Sequence, residues 1–220
     1  MSNPPLAVAV LISGTGSNLK ALIQAKSSGK LKLDFKLVIS NREDAPGLDH
    51  AREAGIPFCI INSQNSEDQD REIKLRLHNA GAALIILAGY MRIIGKDLVN
   101  AFAGRMINLH PSLLPLYPGL NTYRKVLDQG DSRHGGSIHF VTAQLDGGPV
   151  ISQVQIPVMP DDTTTVLAQR LAPEEHRLLL ATVELFINGR VNMRTGNVLL
   201  DNTHLLQPLQ LTAGNNFDKT

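Results

Sequence analysis

Short apolar runs alternate along this chain with longer amphipathic stretches, and this alternation restricts the fold more than any other feature. Five runs have the length and composition of buried strands, at residues 6–13, 35–41, 57–61, 83–88 and 106–110. Four stretches between them carry apolar residues at helical spacing, at residues 18–28, 47–54, 68–80 and 95–102. Alternating strands and helices are typical of a parallel sheet covered by helices. We therefore predict an α/β fold.

The pattern changes after His110. A Pro-rich loop at 111–119 leads to a short predicted helix at 123–129, and strands predicted at 137–141 and 150–158 form an antiparallel pair. A helix is predicted over 163–188, where Pro173 should break the helix or begin a new first turn. Beyond Gly189 we expect an irregular segment with a weak strand at 198–200, and a disordered tail over 212–220.

These elements predict one Rossmann-like domain with a mostly parallel central sheet, flanking helices, and antiparallel strands near the C-terminal half. We assign residues 1–190 to this domain, and residues 191–220 to a C-terminal extension that is partly irregular or disordered.

The composition excludes several classes of protein. A chain of 220 residues with 43% apolar residues can bury a sizeable core. Its net charge of +1 and lack of a basic run argue against a nucleic-acid partner. The first apolar run is too short to span a bilayer and does not follow a basic start, so we expect no membrane partner and a cytoplasmic location. The single cysteine, Cys59, cannot form an internal disulfide.

A glycine-rich loop follows the first predicted strand and opens the first predicted helix, with the sequence Ser13-Gly14-Thr15-Gly16-Ser17-Asn18. Free N–H groups and the positive end of a helix suit a phosphate. No Lys follows as in a Walker loop, and Leu19 stands where the dinucleotide fingerprint has its third glycine, which weakens an NAD reading. The loop is therefore either an anion site or a tight turn capped by Ser17 or Asn18.

Asn108 and His110 lie two residues apart at the end of the fifth predicted strand, so their side chains project from the same face. The carboxyl ends of parallel strands are where open α/β sheets bind ligands. An imidazole can exchange a proton near neutral pH, and an Asn amide can donate to an oxyanion. The pair serves either acyl transfer or the local hydrogen bonding of a strand end.

Asp146 begins the turn-like string Asp146-Gly147-Gly148. An aspartate next to His110 would orient the imidazole and raise its pKa. The string therefore predicts either a turn or a third catalytic group.

Several motifs in order resemble the phosphoribosylglycinamide formyltransferases, a family of folate-dependent formyltransferases. The resemblance extends from Val10 to about Arg190. It rests on residues 11–19, 39–41, 88–92, 108–115, 117–119, 139–141, 145–150 and 174–176. The string 110–115, with its upstream Asn and downstream Asp, is shared by the wider superfamily, whereas the glycine loop and residues 117–119 favour the small purine-pathway substrate.

The resemblance implies a role for each matching residue. It assigns catalysis to Asn108, His110 and Asp146. It assigns the substrate, glycinamide ribonucleotide, to Gly14, Thr15, Gly16, Ser17, Asn18 and Glu175. It assigns the folate to Met91, Arg92, Ile93, Ile94, Val141, Thr142, Ala143, Gln144 and Leu145. His139 lies either near the same crevice or packed in its strand.

The implied chemistry moves a formyl group from the cosubstrate 10-formyltetrahydrofolate to an amine, through a tetrahedral intermediate and without a metal. We expect a monomer or a weak homodimer. Three parts of the chain depart from the family pattern. Ala172 and the segment 177–180 concern the side that binds the glycinamide, and the stretch 63–70 lacks an Arg that some members use near the folate's glutamate tail.

Two other functions remain open. One is a hydrolase that releases formate from formyltetrahydrofolate with the same three catalytic groups. The other is a phosphate-binding module in which only the glycine loop works. A formyltransferase acting on another amine is a variant of the main reading.

Overall fold

The computed structural model describes residues 4–214 and 216–218. The described elements, in chain order, are β1 (Leu6–Ile12), α1 (Ser17–Ser27), β2 (Leu33–Ser40), α2 (Gly47–Glu53), β3 (Phe58–Ile60), α3 (Ser66–Ala80), β4 (Leu84–Leu87), α4 (Lys96–Ala101), β5 (Met106–His110), α5 (Thr122–Gln129), β6 (Arg133–Phe140), β7 (Val150–Pro157), α6 (Thr164–Ile187), β8 (Val191–Arg194), β9 (Asn197–Leu200), β10 (Thr203–His204) and β11 (Leu209–Gln210).

An eight-stranded sheet in the order β11-β7-β6-β5-β4-β1-β2-β3 forms the centre of the molecule. The first five strands in sequence are parallel to one another, whereas β6 runs antiparallel to both β5 and β7. The chain leaves β1 towards β2 and β3, and later returns to place β4 on the opposite side of β1. This reversal of strand order opens a crevice at the carboxyl ends of β1 and β4.

The two faces of the sheet bury separate apolar clusters because successive strand residues point in opposite directions. In β1, Val8, Val10 and Ile12 join the cluster that includes residues of α1, α2, α5 and α6. Ala9 and Leu11 join the cluster that includes residues of α3 and α4. All five side chains are fully buried. Helices on both faces explain why these strands read as continuous apolar runs.

The predicted α/β fold is confirmed. The five predicted strands β1 to β5 and the antiparallel pair β6 and β7 are present, with ends that shift by at most four residues. The largest shift is in β6, which begins at Arg133 rather than at 137 because two glycines continue its ladder against β7.

The prediction that Pro173 breaks the long helix is wrong, since α6 runs through it from Thr164 to Ile187. Proline has no N–H to offer the carbonyl of Gln169. Both residues lie on the exposed side of α6, so water can satisfy that carbonyl. The opposite side buries Leu167, Leu171, Leu178 and Val183 in the core, and this packing holds the helix together.

The region after Gly189 is more regular than predicted. Strands β8, β9 and β10 form a small antiparallel sheet, and β11 adds to the main sheet beside β7. In the tail expected to be disordered, a bridge joins Leu211 to Phe217, and Phe217 packs against the core. Residues 215, 219 and 220 of that tail lie outside the described residues.

Within residues 4–214 and 216–218, no helix combines the length and apolar character needed to cross a membrane.

Candidate active site

Loops from neighbouring strands meet at the carboxyl edge of the sheet. The glycine loop follows β1, and residues 88–95 follow β4. Asn108 and His110 lie within the last three residues of β5, which is the neighbour of β4 in the sheet. The turn after β6 brings Asp146 to the same edge. The sequence motifs that were separated along the chain therefore share one crevice.

Asp146 lies between the other two predicted catalytic residues. Its Oδ2 is 3.5 Å from Nδ1 of His110, and its Oδ1 is 3.5 Å from Nδ2 of Asn108. Oδ2 also accepts a hydrogen bond of 2.8 Å from the backbone N–H of Gly119. The three groups predicted from the sequence are thus brought together.

The backbone of Asp146 has a φ of +48°, in the left-handed region that few non-glycine residues adopt. Asp146 is the third residue of a four-residue turn that begins at Gln144, where the N–H of Gly147 bonds to the carbonyl of Gln144. The predicted turn is therefore present, and it leaves the Asp146 carboxylate beside His110. The tight turn is what directs the carboxylate back towards His110, and strain of this kind is typical of functional sites.

His110 is nearly buried and lies between two hydrogen-bond acceptors. Its Nε2 is 3.0 Å from the carbonyl oxygen of Tyr117, so Nε2 donates to that oxygen. Nδ1 faces Asp146. A second proton on the ring would therefore sit between imidazole and carboxylate.

The expected rise in the pKa of His110 is not what the structure gives. Burial lowers the pKa of His110 below its ordinary value, and this outweighs the opposing effects of the Tyr117 carbonyl and the Asp146 carboxylate. In the free protein near neutral pH the ring is therefore in its neutral form, with a hydrogen on Nε2.

Asp146 is ionised throughout the ordinary pH range. Burial alone would raise its pKa, but the neighbouring His139 side chain, the hydrogen bond from the Gly119 N–H and the nearby His110 imidazole lower the pKa to about 2. The carboxylate supplies a fixed negative charge beside His110.

His139 lies in the crevice, on the β6 position that pairs with Asn108. Its Nδ1 donates to the carbonyl of Phe140 at 2.9 Å, so in the neutral ring Nε2 accepts from Nδ2 of Asn108 at 3.1 Å. This contact orients the Asn108 amide. The second hydrogen of that amide has only the long 3.5 Å contact to Asp146 and remains available to a ligand.

The glycine loop presents the uncapped start of a helix. Gly16 is the residue before α1 and has a φ of +69°, and no side chain in the described part of the protein caps the helix there. The backbone N–H groups of Ser17 and Asn18 therefore keep their hydrogen-bonding capacity. Within residues 4–214 and 216–218, the buried Oδ1 of Asn18 also lacks a partner.

Gly47, which the sequence analysis did not single out, supports this loop. Its N–H bonds to the carbonyl of Gly14 at 3.0 Å. A Cβ at Gly47 would stand 2.9 Å from Cα of Gly16 and 2.7 Å from Ile12, so only glycine allows α2 to approach the loop this closely.

Glu175 extends from α6 to the same end of the sheet. A Cβ built on Gly136 would lie 3.3 Å from Cγ of Glu175 and 3.8 Å from the carbonyl oxygen of His110, which places the glutamate next to β5. Burial raises the pKa of Glu175 to about 7.

A pocket of about 130 Å³ opens beside the predicted catalytic residues. Asn108, His139 and Asp146 are among the residues that line it. Eight of the nine residues predicted to bind the folate line it, with Leu87 and Tyr90 in addition: Arg92, Ile93, Ile94, Val141, Thr142, Ala143, Gln144 and Leu145. Met91, the ninth, does not line this pocket, and 68% of its surface is exposed.

The departure at 177–180 has a structural reason. Arg177 forms an ion pair with Glu174 and donates to the carbonyl of Thr212 at 2.6 Å. The residue therefore attaches the C-terminal segment to α6.

Comparisons with known proteins agree with this geometry. A model of the family described as formyl transferase matches residues 6–183. The phosphoribosylglycinamide formyltransferase of Escherichia coli is 43% identical over 90% of this chain and 95% of its own length. The human trifunctional purine biosynthetic protein adenosine-3 is 39% identical over 84% of this chain, which corresponds to 19% of that longer protein.

Solved structures show the same likeness. The phosphoribosylglycinamide formyltransferase of Coxiella burnetii superposes with a TM-score of 0.87 and 42% identity, over 91% of this chain and 96% of that one. A formyltetrahydrofolate deformylase from Pseudomonas syringae has a TM-score of 0.84 at 24% identity, over 89% of this chain and 66% of that one, and shows a shared fold only. This chain belongs to the formyl transferase family, and within it to the phosphoribosylglycinamide formyltransferases.

Proposed function

We propose that this protein transfers the formyl group of 10-formyltetrahydrofolate to the amine of glycinamide ribonucleotide, a step of purine biosynthesis. The observation that carries the proposal is the position of Asn108, His110 and Asp146 between an anion-binding loop and a largely apolar pocket. In the proposed reaction a phosphate-bearing acceptor and a flat folate must both reach the same catalytic groups. The name of the Escherichia coli relative matches the acceptor and the formyl transfer, and the name of the human relative matches purine biosynthesis.

The acceptor's phosphate binds at the glycine loop. The free N–H groups at the start of α1 and the helix dipole favour a dianion there. The side-chain NH2 of Asn18 donates to the same phosphate and completes the contact with Gly14, Thr15, Gly16 and Ser17. Glu175, once ionised, accepts hydrogen bonds from the ribose hydroxyls.

The folate's ring system binds in the pocket beside Asn108. Ile93, Ile94 and Val141 supply apolar walls, and the loop 141–145 supplies backbone groups for the polar edge of the ring. A volume of about 130 Å³ holds only part of such a ligand, so the remainder extends past the exposed side chains of Ile93 and Leu145.

The neutral His110 takes up the proton that the attacking amine must lose. The amine's lone pair forms the new bond to the formyl carbon, and the former carbonyl oxygen becomes an oxyanion. Asn108 donates its free amide hydrogen to that oxygen. Nδ1 of His110 receives the proton, directly or through water, and the resulting cation is stabilised by Asp146 and by the carbonyl of Tyr117.

Collapse of the intermediate breaks the bond between the formyl carbon and the folate nitrogen. His110 returns the proton to that nitrogen, so atoms and charges balance and the ring is neutral again. The imidazolium therefore forms during the reaction, whereas we expected from the sequence that Asp146 would keep His110 cationic beforehand.

We further infer that residues 1–190 form the catalytic domain and that residues 191–220 are an extension. The enzyme acts as a monomer or a weak homodimer in the cytoplasm, without a metal, a nucleic acid or a membrane partner. The net charge of +1 supports the absence of a polyanionic partner.

The acceptor dependence of turnover tests the proposed reaction. Purified protein is given a 10-formylfolate donor, and the deformylated product is followed by absorbance with and without glycinamide ribonucleotide. We expect turnover only with the acceptor. Equal turnover without it would show a hydrolase instead, and no turnover with any amine would favour the phosphate-binding module.

Substitutions of the catalytic groups test their roles. We expect His110→Ala and Asp146→Asn each to lower kcat by about 10²- to 10³-fold, since each removes part of the charge stabilisation in the transition state. Dissociation constants for both substrates should change little. His78→Ala, an exposed histidine on α3, is the matched control and should retain full activity. Near-normal kcat in either catalytic variant would contradict the assigned roles.

Glu175→Gln separates substrate binding from stability. We expect KM for the acceptor to rise about tenfold, because a charged hydrogen-bond acceptor is lost. We also expect the variant to be more stable than wild type at pH 8, on the order of 2 to 3 kcal/mol.

The direction of the stability change follows from the pKa. The folded protein holds the Glu175 proton up to a pKa of about 7, above the ordinary value of 4.5, so wild type loses stability as pH rises between these values. The gain should therefore be small at pH 5. Urea unfolding at both pH values measures it, with Glu184→Gln on the exposed side of α6 as control. Equal gains at both pH values would contradict the assignment.

A further inference from the structure

Three loops leave the sheet side by side at the crevice. Strand β1 lies between β4 and β2, and all three are parallel, so their carboxyl ends emerge together. Ser13, Gly89 and Asn41 each stand one or two residues beyond the end of one of these strands. Ser13, on the central strand, is therefore the residue that can contact both neighbouring loops.

Ser13 bonds to both of them. Its backbone N–H donates to the carbonyl of Gly89 at 3.1 Å. Its hydroxyl accepts from the backbone N–H of Met91 at 2.8 Å and donates to Oδ1 of Asn41. The side chain is only 4% exposed, so these bonds are shielded from water.

Through its bonds to Gly89 and Met91, Ser13 joins the glycine loop to the loop after β4, and these two loops serve different ligands in the proposed reaction. Residues 14–18 follow Ser13 directly and bind the phosphate. Met91 lies between Tyr90 and Arg92, and both of these line the folate pocket. The hydroxyl of Ser13 is thus the direct link between the backbone of the phosphate site and that of the folate site.

Asn41 fixes the orientation of the Ser13 hydroxyl. Because its Oδ1 accepts the hydroxyl hydrogen of Ser13, the serine lone pairs point towards the N–H of Met91. Asn41 follows β2, whose ladder to β1 continues to Ser40. The hydroxyl is therefore held in one orientation by elements that lie outside both ligand sites.

We propose that Ser13 is a positioning residue that couples the two substrate sites, so that a phosphate ligand at the glycine loop tightens binding in the folate pocket and the reverse. This inference rests on the proposed function. Ordering of residues 13–18 by one ligand orders residues 89–91 through the two bonds from Ser13 to Gly89 and Met91, so the second ligand has less ordering left to provide. The coupling must be equal in both directions.

The dissociation constant of tetrahydrofolate, measured by calorimetry with and without saturating glycinamide ribonucleotide, tests this coupling. The two ligands cannot react with each other, because no formyl group is present. In wild type we expect the nucleotide to tighten tetrahydrofolate binding on the order of tenfold. In Ser13→Ala that ratio should fall close to one, although both ligands still bind.

Two further variants make the result specific. Asn41→Ala removes the acceptor that orients the Ser13 hydroxyl, and should also lower the ratio without altering Ser13 itself. Ser152→Ala removes another buried serine hydroxyl, which lies on β7 and is 2.6 Å from the hydroxyl of Thr182. This variant should keep the wild-type ratio. Thermal melting confirms that each variant is folded, and Asn41→Ala carries the test if Ser13→Ala is not.

The outcomes distinguish this inference from the proposed function. If wild type shows acceptor-dependent turnover, two results would overturn the coupling alone. One is a ratio near one in wild type, and the other is a ratio that keeps its wild-type value in both Ser13→Ala and Asn41→Ala. A wild-type protein without such turnover would contradict the proposed function.

Discussion

The arrangement of the catalytic groups depends on the carboxylate of Asp146. One oxygen holds His110 and the N–H of Gly119, and the other faces Asn108 and His139. The last residues of β5, the loop after β5 and strand β6 therefore meet at one charged group. The carboxylate reaches this point because the Asp146 backbone adopts a left-handed turn, and it stays ionised because its neighbours keep its pKa at about 2.

This central group is useful only because the sheet brings two kinds of ligand site to it. The reversal of strand order at β1 and β4 opens the crevice, the uncapped start of α1 forms its anion-binding side, and the loops after β4 and β6 form its apolar side. The apolar clusters on both faces of the sheet fix the strands, and through them the spacing of the loops. Packing of the core therefore also determines the geometry of the site.

The sequence predicted what local pattern determines. Apolar periodicity located β1 to β5, and the spacing of Asn108 and His110 placed both side chains on one face. It missed what long-range contacts determine. Packing of Leu171 and Leu178 keeps α6 continuous through Pro173, and pairing with β7 orders residues near 209–211, neither of which has a local signal. The direction of the His110 pKa also depends on burial, which only the folded chain defines. The close approach of Gly47 to Gly16 is likewise a property of packing between α2 and the loop.

The pKa of His110, measured by NMR of the imidazole nitrogens in wild type and in Asp146→Asn, shows directly how the carboxylate acts on the imidazole. We expect a value below the ordinary 6.5 in the free wild-type protein, with the neutral ring protonated at Nε2, and a still lower value in the variant. The shift between the two proteins should be a lowering because the substitution removes the negative charge that favours the imidazolium. A pKa above 6.5 in wild type, or a pKa that Asp146→Asn leaves unchanged, would contradict the account of how the carboxylate acts on the catalytic imidazole.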